Sequence, residues 1–455
     1  MPAEVPMDKF KYFKWKFFLL FICTFIFLCI LIVKPPMTYR SNPGPYRLSK
    51  TCPFHVSDQT ITPLNDTKHL LVSAFMDQRV KGFDIRIIGI FRNDSIQPLH
   101  CRFCCEGFLS IPTPANISQH SNKFGFPFDT TDVMCPIPEN CNATHVTLLT
   151  QPESGIAPKQ IWLPIRNRKT NMDEEEKLQF NFTVCISNLF GDYNNVLQFA
   201  QALEMYRLLG VGRVVIYNTS CGPELDRLLQ IYSQDGFLEI VQWPIHQHLI
   251  PSTGWLFSKH GGDVHYFGQL ATLNECIYRS MERSRYVLLN DIDEIIMPYQ
   301  HDNLMSMMNM LQEQHPNAGV FIIENHFFPK KPFEGEKSGP LPQWRGVPGF
   351  NIMEHIYREE PNRTKYLPNK LIVRPRAVEQ TSVHEVLKQF KEEFMVPMEV
   401  CLIVNCRMTY PKSQLEQLRV DTRLWDFSDE LLTSAMKMLR RARLLSSEVE
   451  GRQIG

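Results

Sequence analysis

The sequence predicts an α/β protein: a mostly parallel sheet, preceded by a β-rich, disulfide-containing region and by an N-terminal transmembrane helix. Three observations carry that prediction. An unbroken apolar run of 17 residues lies near the N-terminus, at 17–33. The segment 61–175 then mixes short extended stretches with Pro, Asn and Cys. From residue 180 onward, Val- and Ile-rich runs alternate with segments of helical periodicity, the order a parallel sheet covered on both faces requires.

Residues 17–33, from Phe17 to Val33, read FFLLFICTFIFLCILIV and are bounded by Lys16 and by Lys34-Pro35-Pro36. As a helix of about 26 Å this run suits a thin bilayer once Tyr12, Phe13, Trp15 and the lysine stems extend it. Lys9, Lys11, Lys14 and Lys16 precede it, and only Lys34 and Arg40 follow closely. That bias places residues 1–16 in the cytosol and the rest in a lumen, as a type II signal anchor. A cleaved signal peptide would need small residues at a cleavage site, and Ile-Leu-Ile-Val-Lys-Pro-Pro supplies none. Residues 34–60, rich in Pro and polar side chains, read as a stem.

Two further features agree with a luminal body. N-x-Ser/Thr sequons stand at Asn65, Asn93, Asn116, Asn142, Asn181, Asn218 and Asn362. Of 13 cysteines, Cys23 and Cys29 lie in the apolar run, and the others follow it as an odd set that leaves at least one thiol without an intrachain partner. For Cys101-x-x-Cys104-Cys105 two readings stand, structural disulfides or a zinc or redox pair. No second ligand pair at zinc-ribbon spacing follows. Residues 61–175 form the β-rich accessory region, with strands expected at 74–78, 86–92, 145–150 and 161–165.

The catalytic-type core is expected over 176–411. Strands are predicted at 180–187, 213–217, 238–243, 285–290 and 319–323. Helices are predicted at 194–209, 224–233, 266–284 and 304–314, from apolar spacings such as Val196, Phe199, Ala200, Leu203 and Tyr206. Ligands in such sheets are expected beyond the carboxyl ends of the strands. A C-terminal helical region, 412–455, carries short helical spacing at Gln414–Leu418 and a longer helix at 431–445.

Asp291-Ile292-Asp293 directly follows the apolar strand Tyr286–Asn290. Carboxylates two residues apart in extended chain point the same way, while Ile292 packs back. Clustered like charges at an apolar rim repel unless a cation offsets them, so Asp291 and Asp293 are the candidate ligands of a hard divalent cation and a diphosphate. The other reading is a solvated polar turn. Glu294 is expected to pair with Arg285 or a loop cation.

Anchor, stem, nucleotide-type core and Asp-x-Asp together point to a Golgi glycosyltransferase with a GT-A-like nucleotide-sugar-binding core. The chain also resembles glycosyltransferase family 92. The resemblance rests on Phe182–Asn218, Asp263–Arg279, Tyr286–Ile296 and Lys370–His384, and covers roughly 180–410. It implies inverting transfer of a hexose, galactose in characterised relatives, from a UDP-sugar donor with manganese or another divalent cation. Implied acceptors are glycans, including fucose on the core of N-glycans. It carries metal and diphosphate binding to Asp291 and Asp293, and donor-facing roles to Gln269 and Asn274. The family's His-Tyr-Arg type element corresponds here to Asn405-Cys406-Arg407, which retains only the arginine. That departure keeps open an alternative, a catalytically inactive luminal glycan-binding or scaffolding member.

An inverting transfer needs one general base on the acceptor hydroxyl. Glu324 and Glu354 are the candidates, each with a structural or solvated reading beside it. Lys370 and Arg374 alternate on one face of KLIVRPR and are candidates for the diphosphate. Trp255, Trp344 and Phe350 are candidate sugar platforms; His326, His355 and His384 read as structural or as phosphate contacts. With 48 basic and 48 acidic residues the chain carries no net charge, which argues against nucleic acid as a partner.

Overall fold

Between Phe182 and Ser187 every side chain is buried, apolar and polar alike. A strand buried on both sides belongs inside a sheet with two covered faces. In the computed structural model this strand, β1 (Phe180–Leu189), sits mid-sheet. The structure describes residues 52, 55–152, 160–168, 178–330, 344–359, 368–407 and 418–445, all within one compact unit, Lys50–Gly455. The anchor 17–33, the cytosolic tail, Asn362, and most of the stem and of Gln414–Leu418 lie outside them. Among the described residues no helix is long and apolar enough to cross a membrane.

Further core elements are β2 (Arg213–Asn218), β3 (Leu238–Gln242), β4 (Ser284–Asn290), β5 (Glu294–Pro298), β6 (Ala318–Ile323), β7 (Asn325–Pro329), β8 (Lys370–Val373), β9 (Val378–Thr381), β10 (Val386–Gln389), β11 (Glu392–Met395) and β12 (Cys401–Arg407). The main helices are α1 (Val196–Leu208), α2 (Pro223–Gln234), α3 (Gln269–Ser280), α4 (Leu304–Gln314) and α5 (Ser428–Arg441). The main sheet has the order β3-β2-β1-β4-β8-β6-β11, with β8 antiparallel to both neighbours and the other pairs parallel. A small sheet, β5-β12-β7, stands beside it.

The two faces of the main sheet are covered differently. Phe182, Val184 and Ile186 share a core with Phe199 and Leu203 of α1, Leu228 of α2, Leu304 of α4 and Leu431 and Met438 of α5. The C-terminal helix is thus part of this core. On the other face Cys185, Val215 and Leu289 pack with Leu273 and Ile277 of α3 and with Leu70, Phe75, Ile88 and Ile90 of the accessory region. Those four belong to a ten-stranded, largely antiparallel sheet built from residues 62–166. That sheet supplies an outer layer over α3.

Polar groups cross the same seam. Arg86, fully buried, donates to Asp77 at 2.9 Å, to Asp132, and to Glu379 of β9 at 3.2 Å. Gln380 adds a bond to Asp132 at 2.7 Å, and Ser73 donates to Glu275 of α3 at 2.9 Å.

The helix expected over 266–284 is shorter. Tyr266, Phe267 and Gly268 have φ of 39°, 56° and 76°, a left-handed turn that periodicity does not reveal, and α3 begins only at Gln269. The Cys101/Cys104/Cys105 cluster is structural: disulfides join Cys52–Cys104, Cys101–Cys135 and Cys105–Cys141. A fourth, Cys185–Cys276, ties β1 to α3. Cys221, Cys401 and Cys406 remain thiols. Of the sequons, Asn65, Asn116, Asn142 and Asn181 are exposed. Asn93 and Asn218 are half-buried; the Asn93 amide donates to Phe126 O and Asp129, and that of Asn218 to Cys221 Sγ, contacts a glycan would displace.

Candidate active site

Order β3-β2-β1-β4 reverses direction between β1 and β4, because the crossover through α1 runs one way from β1 and the chain enters β4 through α3 on its other side. At such a switch point two strand ends splay apart and leave a crevice. Ile186 pairs with Asn290 there, and just beyond them opens a cavity of about 1070 Å³. Its walls include Ser187 and Asn188 at the end of β1 and Phe190 just after it, Asp291, Ile292 and Asp293 after β4, Tyr193 and Asn195 just before α1, and Gln198 in its first turn.

Asp291, Asp293 and Glu294 each place a carboxylate oxygen within 4.8 Å of the others. The segment is held by its backbone. Glu294 opens β5, which pairs with β12, and Cys406 N donates to Asp293 O at 3.1 Å. Glu294 is buried, and its two oxygens are engaged: Asn325 and Asn405 donate to Oε1 at 2.9 and 3.0 Å, while Asp291 N and Lys370 Nζ reach Oε2 at 3.3 and 3.2 Å. Burial pushes this carboxyl up, to about 8, against the pull of Lys370, with Asp291 and Asp293 adding repulsion. Glu294 therefore pairs with Lys370 rather than Arg285.

Lys370 is itself fully buried and lies 2.6 Å from Asp291 Oδ2. Burial opposes its charge, and the two carboxylates more than restore it, raising the ammonium above its ordinary value. With Glu294 largely protonated at neutral pH and Lys370 charged, Asp291 and Asp293 leave the cluster a surplus negative charge. Hard oxygen donors with that surplus fit one divalent cation. Asp291 and Asp293, both half-exposed on the cavity wall, are the residues left to hold it.

The other predicted residues divide. Gln269 lines the cavity and donates to Ser187 at 3.0 Å and to Asp291 at 3.5 Å. Asn274 does not face it: its amide group donates to Leu270 O and Thr381 O at 2.7 and 2.8 Å and accepts from Thr381 N at 2.9 Å. Asn274 lies more than one helical turn past Gln269, deep under β9. Asn274→Ala is accordingly expected to cost about 2 kcal/mol of stability, from buried backbone groups left unpaired, with donor affinity unchanged. Chemical denaturation and a nucleotide titration check the two parts.

Arg374 is exposed and lies outside the cavity, because β8 runs antiparallel to β4 and carries it to the opposite end of the sheet. Four residues of strand span about 13 Å, so a shared face did not mean a shared site. Glu324 turns away as well. Strand alternation sends Asn325 to Glu294, while Glu324 pairs with the buried His326 at 3.2 Å. Glu354 pairs with Lys330, and neither glutamate is among the cavity residues. Trp344 and His355 are core, whereas Trp255, Phe350 and His384 line the cavity.

The sequence reading missed Glu385, an exposed carboxylate on the cavity wall beside His384. It lies one residue beyond the segment Lys370–His384 that carries the family resemblance. Also missed were Phe124 and Asn122 of the accessory region, which nothing in local periodicity connects to the core. Within Asn405-Cys406-Arg407, Asn405 supports Glu294 from beneath and Cys406 lines the cavity.

Residues 180–438 match the family described as glycosyltransferase family 92, more than half of the chain, and the chain belongs to that family. A Caenorhabditis elegans protein named glycosyltransferase family 92 protein F13G3.3 is 24% identical over 216 residues, 47% of this chain and 40% of its own length. The C. elegans protein named beta-1,4-galactosyltransferase galt-1 is 22% identical over 332 residues, 71% of this chain and 69% of its own. The chain thus spans less than half the length of the first relative. A crystal structure of S. aureus TarS 1-349 aligns with 12% identity and a TM-score of 0.24, covering 44% of this chain and 48% of that one.

Proposed function

We propose that this chain is a metal-dependent inverting glycosyltransferase of GT-A type that moves a hexose, galactose first among candidates, from a UDP-sugar to a hydroxyl of a glycan. The observation that carries the reading is the acidic cluster at the rim of a large cavity, at the switch point of the sheet. The name of the galt-1 relative supports galactose. The Golgi membrane is the proposed location, with residues 17–33 as anchor and the described body in the lumen; four disulfides support an oxidising compartment.

Asp291 and Asp293 would hold the cation, for which manganese is the first candidate, and Gln269 and Lys370 fix the position of Asp291. The bound cation would neutralise charge developing on the departing diphosphate. Glu385 takes the acceptor proton as the hydroxyl oxygen bonds to the anomeric carbon; the bond from that carbon to the diphosphate oxygen breaks, and its electron pair leaves with UDP. Inversion follows from this single displacement.

Full-length protein in detergent, offered a panel of UDP-sugars with and without manganese, tests the function: release of UDP only with the metal is the expected result. No turnover with any sugar, alongside tight UDP binding, would instead favour the inactive glycan-binding alternative, to which the cavity-facing Cys406 lends some ground. Glu385→Gln is expected to lower turnover about 10²-fold or more with donor affinity kept. Glu324→Gln and Glu354→Gln should leave turnover near wild type.

A further inference from the structure

The hairpin loop 120–127 of the accessory sheet, between the strands Asn116–Gln119 and Phe128–Cys135, reaches into the catalytic core. It is pinned from two directions. Phe128 N donates to Asp263 O at 3.0 Å, just before the turn that opens α3. Asn122 donates to Ser382 Oγ at 2.8 Å, two residues before His384. Between these ties Phe124 adopts φ of 48° and Gly125 of 79°. A left-handed phenylalanine costs about 1 kcal/mol or more, so its placement is imposed by its surroundings.

Phe124 lines the cavity and stacks on the His265 ring, with centroids 4.0 Å apart and an interplanar angle of 12°. Phe126 meets the same imidazole edge-on at 5.7 Å. His265 is 6% exposed, lines the cavity, and neither ring nitrogen has a hydrogen-bond partner among the described residues. A buried imidazole without partners is costly unless a ligand supplies them. Burial, with His384 nearby, pushes its pKa down to about 4, so the ring is neutral at physiological pH. A neutral ring offers one donor and one acceptor. A sugar hydroxyl also gives and takes a hydrogen bond, whereas a phosphate oxygen only accepts.

We infer that Phe124 and His265 form a sugar-ring subsite, in which the accessory region supplies the aromatic wall and the imidazole nitrogens bind sugar hydroxyls. This rests on the glycosyltransferase reading above. The ring belongs to the donor hexose or to the acceptor glycan, and the experiment distinguishes the two.

His265→Phe preserves the stack on Phe124 and removes both nitrogens. The variant is expected to fold with unchanged or higher thermal stability, since two buried polar atoms without partners are gone. It should lose about tenfold in kcat/KM for transfer, the worth of one or two neutral hydrogen bonds. Phe124→Leu should lower the same constant. Donor hydrolysis measured without acceptor separates the sources: a loss there assigns the ring to the donor hexose, and a loss confined to transfer assigns it to the acceptor. Binding of UDP alone should be unaffected by either change. Full transfer by folded His265→Phe would overturn the inference, as would an equal weakening of UDP itself, which would place the nucleotide at this wall. Absence of turnover in the unmutated protein would instead defeat the proposed function.

Discussion

Asp293→Asn is expected to fold normally and to lose about 10³-fold in metal-dependent transfer, the scale of removing several kcal/mol of charge stabilisation. Folding should survive because the backbone of this segment, not the side chain, anchors it: the Asp293 carbonyl accepts from Cys406 N, and Glu294 continues into β5. The amide keeps the shape of the carboxylate and loses its charge. With Lys370 still paired to Asp291, the cluster then loses its surplus negative charge and holds a divalent cation weakly. A manganese titration followed by paramagnetic resonance should show the loss of affinity directly, in the absence of any sugar. Wild-type manganese affinity and activity in this variant would remove Asp293 from the site.

The largest effect on stability is expected at Arg86. Its guanidinium is wholly buried among Asp77, Asp132 and Glu379, and Arg86→Met would leave these carboxylates without their shared cation. Breaking such a pair from one side costs about 3–5 kcal/mol. The damage should concentrate at the seam between the accessory sheet and the core, where limited proteolysis would register it before global unfolding. The same cluster sets a pH dependence. Burial alone would raise the Asp132 carboxyl, but Arg86 and His120 more than offset it and hold it well below its ordinary range. Its folded value lies below the unfolded one, so its stabilisation is complete at neutral pH and is lost as pH falls below about 4. Thermal melts from pH 7 downward should show the fall, and Asp132→Asn, already destabilised at pH 7, should flatten it.

Much of the core was legible because its segments are locally strong. β1, β2, β4, α1, α2 and α4 fall within a few residues of their expected positions, since continuous Val/Ile runs and helical apolar spacing are local signals. Asp291 and Asp293 were legible for a similar reason, as charges abutting an apolar strand. What failed required knowledge of direction. Whether Glu324 or Asn325 faces the acids depends on one step of strand alternation. Whether Arg374 joins Lys370 depends on the direction of β8, which antiparallel pairing with β4 decides. Tyr266 and Phe267 are left-handed although neither is a residue type that announces a positive φ. Phe124 and Asn122 reach the cavity through contacts across more than a hundred residues of sequence, beyond any local pattern.

The family match begins at residue 180, yet the physical unit does not. α3 is sandwiched: one flank rests on the main sheet, and the other meets Leu70, Phe75, Ile88 and Ile90. A fragment cut where similarity starts would bare an oily flank of α3 and strand Glu379 and Gln380 without their partners. Homology and foldability therefore draw different borders here, and variation in the first third of the chain can reshape the cavity wall while leaving the acidic cluster intact.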